Sequence, residues 1–321
     1  MYRKKTFLIL LCIFCIFGCG QPKPLPVMEQ EEALHLEDTA VATSPEPVNG
    51  DFRDNTPVCF VPKATGFIVY SNQLATIDAS NCSEGYIMVK YHGGKDKVKL
   101  QITGPDEVTY TYNLHKSFEA FPLSAGSGSY KVAVYENISG TKYSTALSSN
   151  IDADITNTFG PNLYPNQYVN FDAESQVVSY AAILAENCKS DLEVVEQIYN
   201  YITQNITYDH EKASNVQSGY TANVDEIYLK HTGICLDYAA VMTSMLRSQR
   251  IPTRLEVGYA GTAYHAWIST YIKDVGWING IIRFNGESWS LMDPTFAANS
   301  SEEDLKNFIG NGSNYITKYI Y

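Results

Sequence analysis

Two spacings of apolar residues divide the chain. From Phe60 to about Ile155, short alternating runs recur: Gly66 to Tyr70, Tyr86 to Tyr91, Val98 to Thr103, Thr109 to Leu114, Tyr130 to Tyr135 and Tyr143 to Leu147. A period of two sends every second side chain to the same face, so each run reads as a strand with one buried side. Gly93-Gly94, Gly104-Pro105 and Gly126-Ser127-Gly128 separate the runs as turns. Strands spaced this way predict an antiparallel β-sandwich of immunoglobulin-like or fibronectin-like type. Tyr110 and Tyr112 share a face there. Cross-strand packing is the ordinary role of such a pair, and a ligand surface is the alternative.

Beyond a Gly-, Pro- and Asn-rich connector at 157–170 the pattern changes. Ala173 to Glu186 and Asp191 to Gln204 read as helices, with Asp191 at the N-cap or in the first turn of the second. His210 to Asn223 is polar and long enough to line or cover a cleft. Leu236 to Gln249 lacks Gly and Pro and carries Ala239, Ala240, Met242, Met245 and Leu246 at mixed three-and-four spacing, which predicts a largely buried helix. Tyr264 to Ile272 is β-branched and aromatic, and reads as a strand with His265, Trp267, Ser269 and Tyr271 on one face. Asn285-Gly286 signals a hairpin whose second arm, Glu287 to Met292, ends at Asp293-Pro294. The fold class expected is α+β: a sandwich over 58–156, then a mixed domain over 157–321.

Residues 1–18 place Arg3, Lys4 and Lys5 before an apolar run from Phe7 to Phe17, which is a secretory signal too short to be a comfortable membrane span. Ile16-Phe17-Gly18 before Cys19 resembles a bacterial lipobox, so Cys19 is expected to become a lipidated N-terminus in an extracytoplasmic, membrane-anchored protein. Residues 19–57, with prolines from Pro22 to Pro57 and the acidic group Glu29, Glu31 and Glu32, read as a flexible tether. Loss of the signal removes three basic residues and takes the formal net charge from −12 to −15. That surface excludes nucleic acid as a partner and repels anionic polymers.

The seven cysteines sort by place. Cys12 and Cys15 leave with the signal. Cys59 and Cys82, near the first strands, are a disulfide candidate in an oxidising exterior. Cys188 reads as a small buried apolar side chain rather than a partner for Cys235.

Cys235 opens the helix-like run, where unpaired amides and the positive end of the dipole favour a thiolate and can face an oxyanion. Gly233 leaves room for a substrate backbone to approach. With His265 on a strand and Asp293 at a strand end, the three residue types needed for thiol acyl transfer follow one another in order. Tyr208, Gln204 and Tyr220 are candidates for a second oxyanion donor. Asp237 reads as a cap or salt link of the helix. His210 and His231 lack metal-ligand spacing, so no metal and no cofactor are called for.

Gly233-Ile234-Cys235 followed by Asp237-Tyr238-Ala239, then Ile251-Pro252 with Arg254, Gly258-Tyr259, His265-Ala266-Trp267 and Asp293-Pro294-Thr295, resembles the transglutaminase-like superfamily, relatives of the papain-type thiol proteases. Ile198 to Asp209 resembles the helix and Tyr-Asp turn that precede the cysteine there. The resemblance covers roughly residues 165 to 321. It implies Cys235 as nucleophile, His265 as general base and acid, and Asp293 as the group orienting the imidazole. The stretch from Asp274 to Trp289 is longer than in shorter members. The expected reaction is attack on an amide carbonyl of a protein or peptide, giving a thioester. Water is the favoured acceptor, since no calcium-loop pattern is present and an extracellular site has water in excess. Transfer to a lysine amine, making a protein cross-linker, and a surface binding protein without turnover are the alternatives.

Overall fold

The computed structural model describes residues 53–273, 275–279, 282–284, 289–291 and 315–321. The signal segment, Cys19 and Asp293 lie outside them.

Eight strands come first: β1 (Val69–Ser71), β2 (Ala75–Asp78), β3 (Tyr86–Tyr91), β4 (Val98–Thr103), β5 (Thr109–Asn113), β6 (Glu119–Pro122), β7 (Gly128–Ser139) and β8 (Lys142–Ala153). They pair into two antiparallel sheets ordered β1-β2-β3-β6 and β5-β4-β7-β8, so the chain changes sheet after β3, β5 and β6. Alternation decides which residues go inside. In β4, Val98, Leu100 and Ile102 are buried while Lys99, Gln101 and Thr103 are partly exposed. Those residues share a core with Ile77, Ile87, Val89 and Phe121 of the other sheet. Tyr110 and Tyr112 are 8% and 2% exposed. Their rings meet Tyr321 edge-on, and Tyr112 also meets Phe121 with centroids 4.8 Å apart. They are packing residues and not a ligand surface.

The second half begins with α1 (Gln176–Ala185) and α2 (Asp191–Asn205), then β9 (Thr207–Tyr208), α3 (His210–Asn215), α4 (Val224–Lys230), β10 (Thr232–Gly233) and α5 (Cys235–Ser248). Ser190 caps α2, its hydroxyl accepting from the Glu193 N–H at 3.2 Å, and Asp191 stands in the first turn, the second of the two places expected for it. The remaining strands are β11 (Thr253–Ala260), β12 (Ala263–Ile272), β13 (Gly276–Asn279), β14 (Ile282–Phe284), β15 (Trp289–Leu291) and β16 (Tyr315–Ile320). Four of them form an antiparallel sheet ordered β13-β12-β11-β16, and β14 pairs with β15. Helix α5 is buried along its whole length after the first turn, with α1, α2 and α4 against it as well as β11 and β12. Most of its enclosed side chains are apolar, as suits a helix covered on every side, and the charged ones, Asp237 and Arg247, are buried with partners.

Two arginines fasten this half. Arg247 of α5 is fully buried and donates to the carbonyls of Thr253 (2.9 Å), Tyr164 (2.6 Å) and Tyr321 (2.7 Å). It joins the helix, the connector and the last residue of the chain. Arg53 pairs with Asp191 at 2.6 Å and donates to the side chain and carbonyl of Gln249. Val58 N–H donates to the Ser248 carbonyl at 2.8 Å, and Asn55 to that of Cys188 at 3.0 Å. Residues 53–57, expected as the end of a tether, are therefore a strap laid across the C-terminal end of α5.

Cys59 and Cys82 are free thiols, so the disulfide considered from the sequence is not formed. They sit in different surroundings, Cys59 near Asp172 and Cys82 near Asp78. Burial, reinforced by those carboxylates, pushes each thiol up to about 11. Cys188 is also a free, buried thiol, its Sγ lying 3.5 Å from the Leu184 carbonyl oxygen.

Candidate active site

Cys235 is the first residue of α5 and half-buried. The amides of Cys235 and Leu236 precede the helical hydrogen-bond ladder, which leaves this end of the helix rich in N–H groups and positive potential. Ile234 at the N-cap has no side-chain acceptor. The capping function passes instead to Asp237, whose Oδ2 accepts from the Ile234 N–H at 2.9 Å.

Asp237 is completely buried. Lys212 of α3 forms an ion pair with its Oδ2, and the Tyr220 hydroxyl donates to its Oδ1 at 2.7 Å. Lys212 also donates to the Tyr220 hydroxyl at 2.7 Å. Burial first, and then the bond to Asp237, drive the Tyr220 phenol far above its ordinary range. The sequence reading of Asp237 as a cap or a salt link holds on both counts.

The turn before the cysteine is tied down from the other side as well. β9 and β10 pair in parallel with Tyr208 opposite Gly233, and Asp209 N–H donates to the Gly233 carbonyl at 2.9 Å. Asp209 in turn caps α3 by accepting from the Lys212 N–H at 2.8 Å. The Tyr238 hydroxyl donates to the Ile206 carbonyl, fixing α5 to the end of α2. A Cβ on Gly233 would meet the Asp237 Cβ at 2.7 Å. The space above that glycine thus belongs to Asp237 and is not open to a substrate backbone.

His265 lies on β12, 9% exposed and paired across the sheet with Gly258. Its ring stacks near Trp267, centroids 6.4 Å apart. β12 packs on α5, and Tyr264, next to His265, lies within electrostatic reach of Cys235. The fold thus brings the start of β12 and the start of α5 into one neighbourhood. Gly258 has its own reason: a Cβ there would come within 2.0 Å of the Ile316 carbonyl oxygen, where β16 shifts register against β11. The insert after Asp274 supplies β13, whose Trp277 ring lies 3.7 Å from the Arg254 guanidinium.

Of the three oxyanion candidates, Tyr208 is placed beside the turn by its pairing with Gly233. Gln204 is exposed near the end of α2, and the donor hydrogen of Tyr220 is committed to Asp237. Sequence reasoning missed Lys212 as a member of the site. Nothing local in the sequence pointed from Lys212 across to position 237. Lys212 and Tyr220 also border an open concavity of about 400 Å³ formed with Asn215 to Gly219.

Residues 178–280, which include Cys235 and His265, match the family model described as the transglutaminase-like superfamily. The chain carries a transglutaminase-like domain. Solved structures similar to the chain that bears this domain include a candidate cysteine protease from Cytophaga hutchinsonii, 15% identical over 79% of this chain and 73% of that one, with a TM-score of 0.38. A candidate protease from Parabacteroides distasonis is 18% identical over 55% of this chain, with a TM-score of 0.26. Red sea bream transglutaminase is 14% identical over 67%, with a TM-score of 0.29. The chain spans 36% and 48% of the length of the last two. A search of curated protein sequences finds no match.

Proposed function

We propose that the chain is a thiol-dependent amide hydrolase acting through Cys235, held outside the cytoplasm by lipid on Cys19. The observation that carries this reading is the position of Cys235 as the first residue of a buried helix, on a turn bonded from both sides. A free thiol with a pKa of about 8.5 is only a few per cent ionised near neutrality, so the helix terminus and an adjacent imidazolium must supply the activation. The Cys235 thiolate adds to an amide carbonyl. The negative charge that develops on oxygen faces the amides at the start of α5, and Tyr208, on the strand paired with Gly233, is the proposed second donor. His265 protonates the departing amine, leaving a Cys235 thioester. A water that gives its proton to His265 then releases the acid and restores the thiol. Asp293 would orient the imidazole.

The acceptor decides the activity. The test supplies a glutamine-containing protein and a fluorescent primary amine to the soluble part and to Cys235→Ala. Release of ammonia or peptide without label, lost in the variant, is expected. Label incorporated in excess of hydrolysis would replace the hydrolase by a cross-linking transglutaminase. Absence of any turnover, with Cys235 alkylated no faster than a free thiol, would leave a surface binding protein.

A further inference from the structure

We propose that Lys212 and Tyr220 are positioning residues for the nucleophile, acting through Asp237 to hold the Gly233–Ile234–Cys235 turn and to balance charge beside the thiolate. The proposal rests on Cys235 being the nucleophile.

An ionised carboxylate without partners is too costly to bury. Asp237 is fully buried as the third residue of α5, and its acceptor sites are taken by three donors from three parts of the chain. These are the Ile234 N–H of the turn itself, the Lys212 ammonium of α3 and the Tyr220 hydroxyl. The Lys212 ammonium spans Tyr220 and Asp237, and the backbone of Lys212 is fixed by Asp209, whose own N–H holds the Gly233 carbonyl. The path therefore closes on itself. From Gly233 it runs through Asp209 and Lys212 to Asp237, and back to Ile234, one residue before the thiol. The contacts that join these residues are hydrogen bonds, and the last of them holds the Ile234 amide.

The electrostatic consequence follows from the same geometry. Asp237 is two residues from Cys235, and its negative charge opposes a second negative charge on sulfur unless a cation stands against it. Lys212 is that cation. The other groups facing this corner are Glu226 of α4, which acts on Tyr220 and Lys212, Tyr264 of β12 on the side of Cys235, and His265, whose imidazolium in the proposed mechanism pairs with the thiolate itself. Of these only His265 brings positive charge, and it stands against the sulfur, whereas Lys212 stands against Asp237.

The test is the rate of Cys235 alkylation by iodoacetamide against pH, located by mass spectrometry, in wild type, Lys212→Met, Lys212→Arg, Tyr220→Phe and the exposed-charge control Lys142→Met. The midpoint should rise by about one unit in Lys212→Met. It should rise less in Tyr220→Phe, return towards wild type in Lys212→Arg and stay unchanged in Lys142→Met. A purely structural role would change melting temperature without moving the midpoint. If Lys212→Met does not melt cooperatively, Tyr220→Phe, which keeps the ring, decides. A midpoint in Tyr220→Phe and in folded Lys212→Met equal to wild type overturns the proposal. The wild-type midpoint alone tests the nucleophile assignment: an ordinary thiol value there removes the enzymatic reading, whatever the variants do relative to it.

Discussion

Asp237 occupies the space a side chain at position 233 would need, its Cβ 2.7 Å and its Oδ2 3.1 Å from where a Cβ on Gly233 would stand. Gly233→Ala forces the turn or the carboxylate to move. The expected cost is about 1–3 kcal/mol of stability, with slower alkylation of Cys235. Urea denaturation beside an alkylation time course reads both, and an alanine variant as stable and as reactive as wild type would mean the close approach is unimportant.

Arg53 joins the strap to both α2 and α5. Its removal takes an ion pair from the half-buried Asp191 and two donors from Gln249. Arg53→Ala should therefore lower stability by about 3 kcal/mol while leaving the alkylation profile of Cys235 in place. A denaturation midpoint equal to wild type would show that the strap contributes nothing.

Arg247 serves three carbonyls with one planar group. Lysine presents a single point charge and cannot reproduce that fork, so Arg247→Lys should be destabilising nearly as much as Arg247→Leu. The local reading is amide hydrogen exchange at Leu255 and Tyr321, which bond to each other's carbonyls at 3.1 Å and 2.8 Å. Protection at those two amides should fall before protection in α5. Equal protection in variant and wild type would put the fastening elsewhere.

Cys59 and Cys82 are each pushed up to about 11 by burial. A raised pKa in the folded state means the unfolded chain loses these protons first. Their contribution to stability is fully present below the ordinary thiol range and is lost as pH rises through about 11. Cys82→Ala should flatten the decline in melting temperature across that window relative to its own value at neutral pH. A decline of unchanged steepness would assign the alkaline loss to other groups.

Much of this was legible because it is local. α5 and β12 follow from Ala239, Ala240, Met242, Met245 and Leu246 and from the β-branched and aromatic run at 264–272, and β3 and β4 coincide with their alternating runs. Strands also flank Asn285-Gly286 and pair, but Phe284 stands opposite Trp289, so the second arm pairs two residues later than the expected start at Glu287; residues 285–288 themselves lie outside the described residues. β2 and β6 were missed: each has only four residues, mostly buried, and so shows no alternation to read. What joins Lys212 to Asp237 or Arg53 to Asp191 is a contact between residues far apart in sequence, and no period or cap encodes it. The same holds for Gly233, whose lack of a side chain was correctly noticed and given the wrong neighbour.

The strap and the thiol sit at opposite ends of one helix. Fourteen residues of α5 amount to about 21 Å, with Cys235 at one end and Ser248, which receives Val58, at the other. With the chain anchored at Cys19 as proposed, a pull would be delivered to the far end of a rod clamped along its length. The proposed nucleophile would be leashed without being jostled.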